Sequence, residues 1–340
     1  MSIFRKRRIF LDYFGGHDNP SGIHEEGRRA KERLLSARLR LSKVLRCQTK
    51  DIVFTSGGTE ADNLAILGVF EGSRQEFAKP HIIISKGEHP AILESALEAR
   101  RRGAELDIVS SEEIVSKIKD NTILVSVVYA ESETGRINPV SKIGRHIRSE
   151  RNKKGSKYPY FHTDATGALG LLDIDIDKVP GDLITLDRVL VVRPNVSIKP
   201  IIFGGGQERG LRSGTEDISA IERFVEDFEN ALKKKERNFQ KLEKLKKIFI
   251  SELQRLLPDA LINTPEISLP NVVSITFPKM LHEFLAIKLD LNGVSVSTGS
   301  SCDANKNEDD KEALRFSFSP KTKEREIKEA VRILKSVVLE

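Results

Sequence analysis

Short apolar runs alternate with amphipathic stretches through the first half of the chain. Asp51–Phe54 (DIVF), His81–Ser85 (HIIIS), Leu106–Val109, Thr122–Tyr129 (TILVSVVY), Tyr160–Asp164 (YFHTD), Asp182–Leu186 (DLITL) and Val189–Val192 (VLVV) read as strands, and Phe10–Tyr13 (FLDY) as a strand-like piece. Between them Glu25–Leu45, Leu64–Glu71, Ala91–Arg102, Glu112–Lys119 and Ser141–Lys153 carry helical spacing. Such alternation predicts an α/β fold with a mostly parallel sheet covered on both faces. Asp217–Leu257 is one long Lys/Glu-rich helical pattern, with a break near Asn230–Lys235. The tail then reads strand (Val272–Phe277), helix (Leu281–Leu291), strand (Val294–Ser297), loop, strand (Ala313–Phe318), helix (Lys323–Val338). This predicts a large domain over 10–225 and a smaller α/β domain over 226–340, joined by the N-terminal segment 1–9.

Parallel sheets of this kind bind ligands beyond the carboxyl ends of their strands. The polar residues of interest all follow strands: Ser56–Thr59, His89, Glu131–Glu133 and Asp164. Thr55–Asn63 (TSGGTEADN) is a glycine-containing turn between a strand and a helix. The first N–H groups of a helix have no partner within it, and the helix dipole adds positive charge there; both favour a phosphate.

Composition narrows the class. At 340 residues the chain is long enough for a large domain plus a smaller one, and 39% apolar residues support a globular fold. No apolar run reaches the roughly 18–20 residues that span a bilayer, and the basic start MSIFRKRRIF is unlike a signal peptide; a cytoplasmic protein without a membrane partner is expected. The net charge of +6 comes from 56 basic residues interleaved with 50 acidic ones, which reads as solvated faces and not as a specific nucleic-acid surface. Two cysteines, Cys47 and Cys302, make no disulfide framework. Cys47 ends an amphipathic helix and reads as structural, whereas Cys302 sits in a Ser/Gly/Asp-rich loop expected to be solvent-accessible.

In order along the chain, TSGGTEADN, EHPA, HTDAT, GGGQERGLRSGTED, STGSSC and RFSFS resemble the motifs of cysteine desulfurases. These are enzymes dependent on pyridoxal 5′-phosphate (PLP), with the class-V aminotransferase-like fold (fold type I). They take sulfur from L-cysteine for iron–sulfur clusters and thiolation, and the likeness runs from about Phe10 to the C-terminus. It implies that Gly58 and Thr59 hold the cofactor phosphate and that His89 stacks on the pyridine ring. It further implies that Asp164 pairs with the ring nitrogen, Thr215 reaches the phosphate of the other subunit of a homodimer, Arg315 clamps the substrate carboxylate, and Cys302 becomes a persulfide. Ser132 and Gly167 occupy cofactor positions where the family has Asn and Gln. An iron–sulfur scaffold or another sulfur-acceptor protein would be the partner.

The departures are as specific as the likeness. The family carries its cofactor on the lysine of a His-Lys pair after the DLITL-type strand; here Leu186 passes through Asp187 and Arg188 straight into VLVVRP, and no His-Lys pair exists in the chain. The nearest lysines are Lys178 and Lys199, and the Gly-rich turn expected after the family lysine is missing as well. Two more places look shortened, after FLDY and after SSCDANKNEDD. Either the scaffold has lost its lysine, or the parent protein carries loops at these junctions; intact flanks and the absence of Gly, Asn or Pro at Asp187-Arg188 favour the loops. Continuous bonding at the junctions would refute them. The expected function is conversion of L-cysteine to L-alanine with sulfur passed through Cys302; an inactive desulfurase-like scaffold and a selenocysteine lyase-like enzyme are the alternatives.

Overall fold

Glu25–Leu45 forms the first helix, α1, as its periodicity requires. His24 caps it by accepting the Gly27 N–H, Glu25 and Glu26 face its positive end, and Arg46 closes it in the left-handed conformation. The computed structural model describes residues 9–176, 178–278, 280–298 and 313–339.

The main sheet has seven strands: β1 (Ile52–Phe54), β2 (His81–Ser85), β3 (Glu105–Val109), β4 (Thr122–Ser126), β5 (Tyr160–Asp164), β6 (Leu183–Leu186) and β7 (Val189–Val192). Their spatial order is β1-β7-β6-β5-β4-β2-β3. All pairings among β2 to β6 are parallel, and β7 alone runs against both its neighbours. The chain therefore leaves β1, β2, β4, β5 and β6 at one common edge, where it meets the helices α2 (Gly58–Ser73) and α3 (Pro90–Arg101) and the turn at Asp187.

Alternation along the strands divides the core between the two faces. Ile83, Val125, Phe161 and Ile184 pack on the side of α1, α4 (Val140–Lys154) and α5 (Ile218–Lys233). Ile82, Ile84, Leu124, Tyr160 and Leu183 pack on the side of α2 and α3. A strand buried on both faces reads as a continuous apolar run, which is why HIIIS and TILVS are legible.

The long helical pattern is two helices. α5 ends at Lys233, and α6 (Lys235–Leu256) begins after Lys234, whose backbone (φ −105°, ψ 2°) turns the chain. α5 lies along α1, fastened by Arg33–Glu222 and Arg40–Glu229. α6 packs instead with a second sheet of four antiparallel strands, ordered β10 (Ser297–Thr298), β11 (Leu314–Ser317), β9 (Val272–Thr276) and β8 (Leu261–Ile262). Phe249, Val273, Ile275, Leu314, Phe316 and Val331 form its core with α7 (His282–Leu291) and α8 (Glu324–Leu339).

Several expectations need correction. Phe10–Tyr13 is not a strand: it leads into a turn in which the Asp12 carbonyl accepts the Gly16 N–H. Glu112–Lys119 is not an α-helix but a single 3₁₀ turn, Ile114–Lys117. The β8 strand, two residues long, carries too little pattern to read. Most tellingly, β6 and β7 join as a continuous two-residue hairpin, with Leu186 paired to Val189. Asp187 supplies the left-handed residue (φ 50°), a conformation that Asp tolerates because its short polar side chain can bond locally. Asp187 thus supplies the turn residue that this junction was expected to lack. The third junction, 301–312, lies outside the described residues.

Candidate functional site

At the common edge of the strands lies a cavity of about 300 Å³. Its lining brings together Gly58, Thr59, Asp62, Gly87, His89, Val128, Ala130, Ser132, Asp164, Thr166, Gly167 and Asp187. Six of the positions expected from the sequence, Gly58, Thr59, His89, Ser132, Asp164 and Gly167, therefore share one wall-to-wall space.

The turn between β1 and α2 is stiffly held. Thr55 N–H donates to the Arg188 carbonyl, the Arg188 guanidinium donates to the Ser56 carbonyl at 2.8 Å, and Ser56 N–H donates to Glu60 at 2.9 Å. Glu60 is in turn gripped by Arg212 at 2.8 Å. Gly57, at the helix cap, has no side chain to offer the first N–H groups of α2. Those groups are left for an anion in the cavity.

His89 is the N-cap of α3, and its Nδ1 accepts the Ala91 N–H at 3.1 Å. This bond fixes the ring as a cavity wall. Asp164 ends β5; it is 7% exposed, and one carboxylate oxygen accepts the Thr166 N–H at 2.8 Å. Burial pushes its carboxyl above the usual range, while the Thr166 N–H and His89 work the other way. Behind it His162 is fully buried between Ser126 (2.9 Å) and Thr185 (3.0 Å), and burial lowers its pKa to about 3, so it is neutral.

Gly167 has a steric reason. A Cβ built there would lie 2.8 Å from the Ala130 carbonyl oxygen, so a Gln at this position would require the backbone to move. Gly58 is less constrained, its nearest neighbours being 3.9 Å away.

The other expected residues are placed differently. Arg315 on β11 does not line the cavity but reaches its rim, donating to the Ser132 carbonyl at 3.2 Å. Thr215 lies outside the cavity as well; it lines a smaller hollow of about 100 Å³ with Ser56, Arg188 and Arg212. Cys302 lies outside the described residues. Cys47 is half-buried against the core, and burial raises its thiol to about 11, which suits a structural residue.

Sequence reasoning missed Asp62, Thr166, Asp187 and Glu88. Asp62 had a signal: it stands three residues after Thr59 in a helix and so shares its face. Its carboxylate is 1% exposed, and Oδ1 has no hydrogen-bond partner. Asp187 was legible only as a broken junction. Among the described residues no lysine lines the cavity. Lys178 pairs with Asp173 at 2.6 Å, and the Lys199 backbone N–H bonds to Gly68 in the middle of α2.

Glu88 sits beneath the cavity. The residue as a whole is partly exposed, but its carboxyl points inward: Oε1 accepts from Ser85 (2.8 Å), Ser126 (3.2 Å) and the Val128 N–H (2.9 Å), and Oε2 is buried without a partner. Burial outweighs these donors and raises its pKa from an ordinary 4.5 to about 8. The folded state thus holds a proton that the unfolded state has released between these values. Its contribution to stability is full below pH 4.5 and is lost as pH rises towards 8. Glu88→Gln is expected to flatten the fall of stability over that window, read as urea midpoints at a series of pH values; an unchanged slope would place the proton elsewhere.

The class-V aminotransferase model matches residues 8–187 and 189–329, breaking at the hairpin turn itself. "Cysteine desulfurase IscS 1" of Archaeoglobus fulgidus is 34% identical over 309 residues, covering 86% of this chain and 78% of that protein. "Cysteine desulfurase IscS" of Clostridium botulinum (strain Kyoto / Type A2) is 35% identical over 315 residues, covering 86% and 76%. The solved structure of a NifS-like protein superposes with a TM-score of 0.84 at 30% identity, covering 94% of this chain and 91% of its own. With the cavity at the strand edge and the match spanning both sheets, the chain belongs to the aminotransferase class-V family, among its cysteine desulfurases.

Proposed function

We propose that the cavity receives PLP without covalent attachment and that the protein acts on L-cysteine, releasing L-alanine and carrying the sulfur on Cys302. The observation that carries this reading is the convergence of Gly58, Thr59, His89, Ser132, Asp164 and Gly167 on one cavity of about 300 Å³. The non-covalent requirements of the cofactor are met there. The free N–H groups at the start of α2, with the Thr59 hydroxyl, suit the phosphate. The His89 ring, fixed by its bond to Ala91, suits the flat face of the pyridine. The Asp164 carboxylate suits a protonated ring nitrogen and would be returned towards its ionised form by it. The covalent requirement is not met, because no lysine lines the cavity among the described residues.

When bound, PLP supplies an electron sink for charge developing at the substrate α-carbon. The chain's own residues do the rest. Asp164 keeps the ring nitrogen protonated. Arg315, a planar two-point donor at the rim, orients the substrate carboxylate. Ser132 and Gly167 leave the ring edge open. Cys302 as a thiolate attacks the substrate sulfur; the carbon–sulfur bond breaks with its electron pair going to the substrate carbon, which takes up a proton to become the methyl of alanine, and the sulfur stays on the enzyme as a persulfide. A lysine would also have carried the α-proton; its loss removes a general base, a role worth about 10²–10⁴ in rate.

Thr215, facing its own hollow and not this cavity, is assigned to the partner subunit's phosphate in a homodimer. The reading further takes 10–225 as the large domain, 226–340 as the small one, a sulfur acceptor of the iron–sulfur or thiolation type, and the cytoplasm as the place of action. No described helix is long and apolar enough to cross a membrane.

The missing lysine favours a second reading, a scaffold that keeps the dimer and the cofactor but not turnover. Alanine release separates the two. With PLP and L-cysteine, the wild type is expected to form alanine slowly but above the protein-free rate, and Cys302→Ser to lose the protein-bound persulfide. Bound PLP with no alanine would establish the scaffold; no bound PLP would overturn both.

A further inference from the structure

A row of buried hydrogen bonds crosses β4, β5 and β6 beneath the cavity. It starts at Glu88, whose Oε1 accepts from the Ser126 hydroxyl at 3.2 Å. Ser126 Oγ lies 2.9 Å from His162 Nδ1, and the other ring nitrogen, Nε2, lies 3.0 Å from Thr185 Oγ1. The Thr185 hydroxyl also bonds the Asp62 carboxyl, whose Oδ1 stands 3.9 Å from His162 Nε2. Ser126, His162, Thr185 and Asp62 are all buried. Of the five residues, Asp62 alone lines the cavity. At each end one carboxyl oxygen, Glu88 Oε2 and Asp62 Oδ1, is buried without a partner, so two full charges there are costly.

The donors and acceptors of this row can be counted. His162 is neutral, so its ring offers one N–H and one lone pair. With both carboxyls ionised, Ser126 and Thr185 each donate to a carboxylate, and the ring's lone pair faces an oxygen that has no proton left for it. With both protonated, both hydroxyls donate to the ring, and its own N–H has no acceptor. One proton satisfies every member, in either of two directions. Held by Asp62, it is donated to Thr185, which donates to Nε2, while Nδ1–H donates to Ser126 and Ser126 to Glu88. Held by Glu88, the whole order reverses, and the ring carries its hydrogen on Nε2.

We infer that Glu88 and Asp62 share a single proton, which His162 relays between the cavity floor and the cavity wall. In the relay each hydroxyl and ring proton moves one place along the row. The proton that leaves one carboxyl is matched by one arriving at the other, and His162 ends neutral in its other tautomer. Asp164 is the further carboxyl that acts on both ends, and its charge disfavours a second ionised group in either. Asp62 is thereby the group through which a molecule in the cavity gives up or receives a proton, with Glu88 as the store. The relay belongs to the protein alone and holds whichever ligand the cavity takes.

NMR of the full chain over a pH series tests this, with carbon-13 in the Asp and Glu carboxyls and nitrogen-15 in the histidines. In the wild type the Asp62 and Glu88 carbons are expected to move in the same two steps, at least about one pH unit apart, and to report one proton between them at neutral pH. The His162 nitrogens are expected to show both tautomers. Thr185→Val keeps a β-branched side chain on the strand and removes the hydroxyl that joins His162 to Asp62. It is expected to confine the proton to one carboxyl and His162 to one tautomer. A wild-type proton held wholly by one carboxyl, any count other than one at neutral pH, or a proton still divided after Thr185→Val would overturn the inference and leave the cofactor reading standing. Should Thr185→Val not fold, the wild-type titration decides alone.

Discussion

Asp187→Lys is expected to give this protein a covalently held cofactor that the wild type lacks. The position faces the cavity from the tip of the β6–β7 hairpin, beside Thr166 and opposite the start of α2. A Cβ on Gly58 would be 3.9 Å from the Asp187 Cα, so a long side chain here enters the space directly above the phosphate end. Lysine at φ 50° is strained by about 1–2 kcal/mol, a tolerable fraction of the roughly 5–15 kcal/mol that stabilises a fold. The variant incubated with PLP and then borohydride should gain the mass of one reduced cofactor, and the wild type should gain none. Alanine formation should rise by about 10²–10⁴, the value of a positioned general base. An unmodified variant that folds and binds PLP would mean that position 187 does not face the cofactor.

The second large effect concerns stability. Glu208→Ala is expected to cost about 3 kcal/mol, because it strands Arg38, whose side chain is only 11% exposed. Glu208 is 5% exposed and accepts from both Arg38 and the Phe54 N–H (3.0 Å). Arg38 also donates to the Ile52 carbonyl at 2.6 Å and lies over the Phe54 ring at 4.6 Å. The pair thus clamps α1 to the strand β1 that delivers the phosphate-binding turn. Both Glu208 (φ 47°) and Arg209 (φ 60°) are left-handed, strain that the clamp has to hold. Urea midpoints check the loss, and Arg38→Met/Glu208→Met together should lose less than Glu208→Ala alone. A loss below about 1 kcal/mol for Glu208→Ala would show that the arginine finds water or another partner.

These two cases mark what the chain alone conveyed. GGGQERGLRSGTED was legible as a signature, but not that its Glu208 is a structural anchor; a partner 170 residues away in sequence has no local trace. Strands buried on both faces were readable from their continuous apolar runs, as in HIIIS, and the long helix Glu25–Leu45 from its period. Phe10–Tyr13 was misread because four apolar and polar residues at a turn mimic an edge strand. In the cavity, residues after strand ends could be found from topology alone. Asp62 could be found only from its helical spacing to Thr59, and Glu88, beneath the floor, could not be found, because its role depends on burial. The hairpin at Asp187 was misjudged through counting only Gly, Asn and Pro as turn residues, when Asp also accepts positive φ.

The central claim is a B6-phosphate site that holds its ligand without a covalent bond. Native mass spectrometry of the full chain with PLP tests it directly, followed by denaturing mass spectrometry after borohydride. The account predicts one bound cofactor per chain in the native spectrum and the mass of the bare chain after reduction and denaturation. A native spectrum with no cofactor, or a reduced and denatured chain heavier by one reduced cofactor, would contradict it.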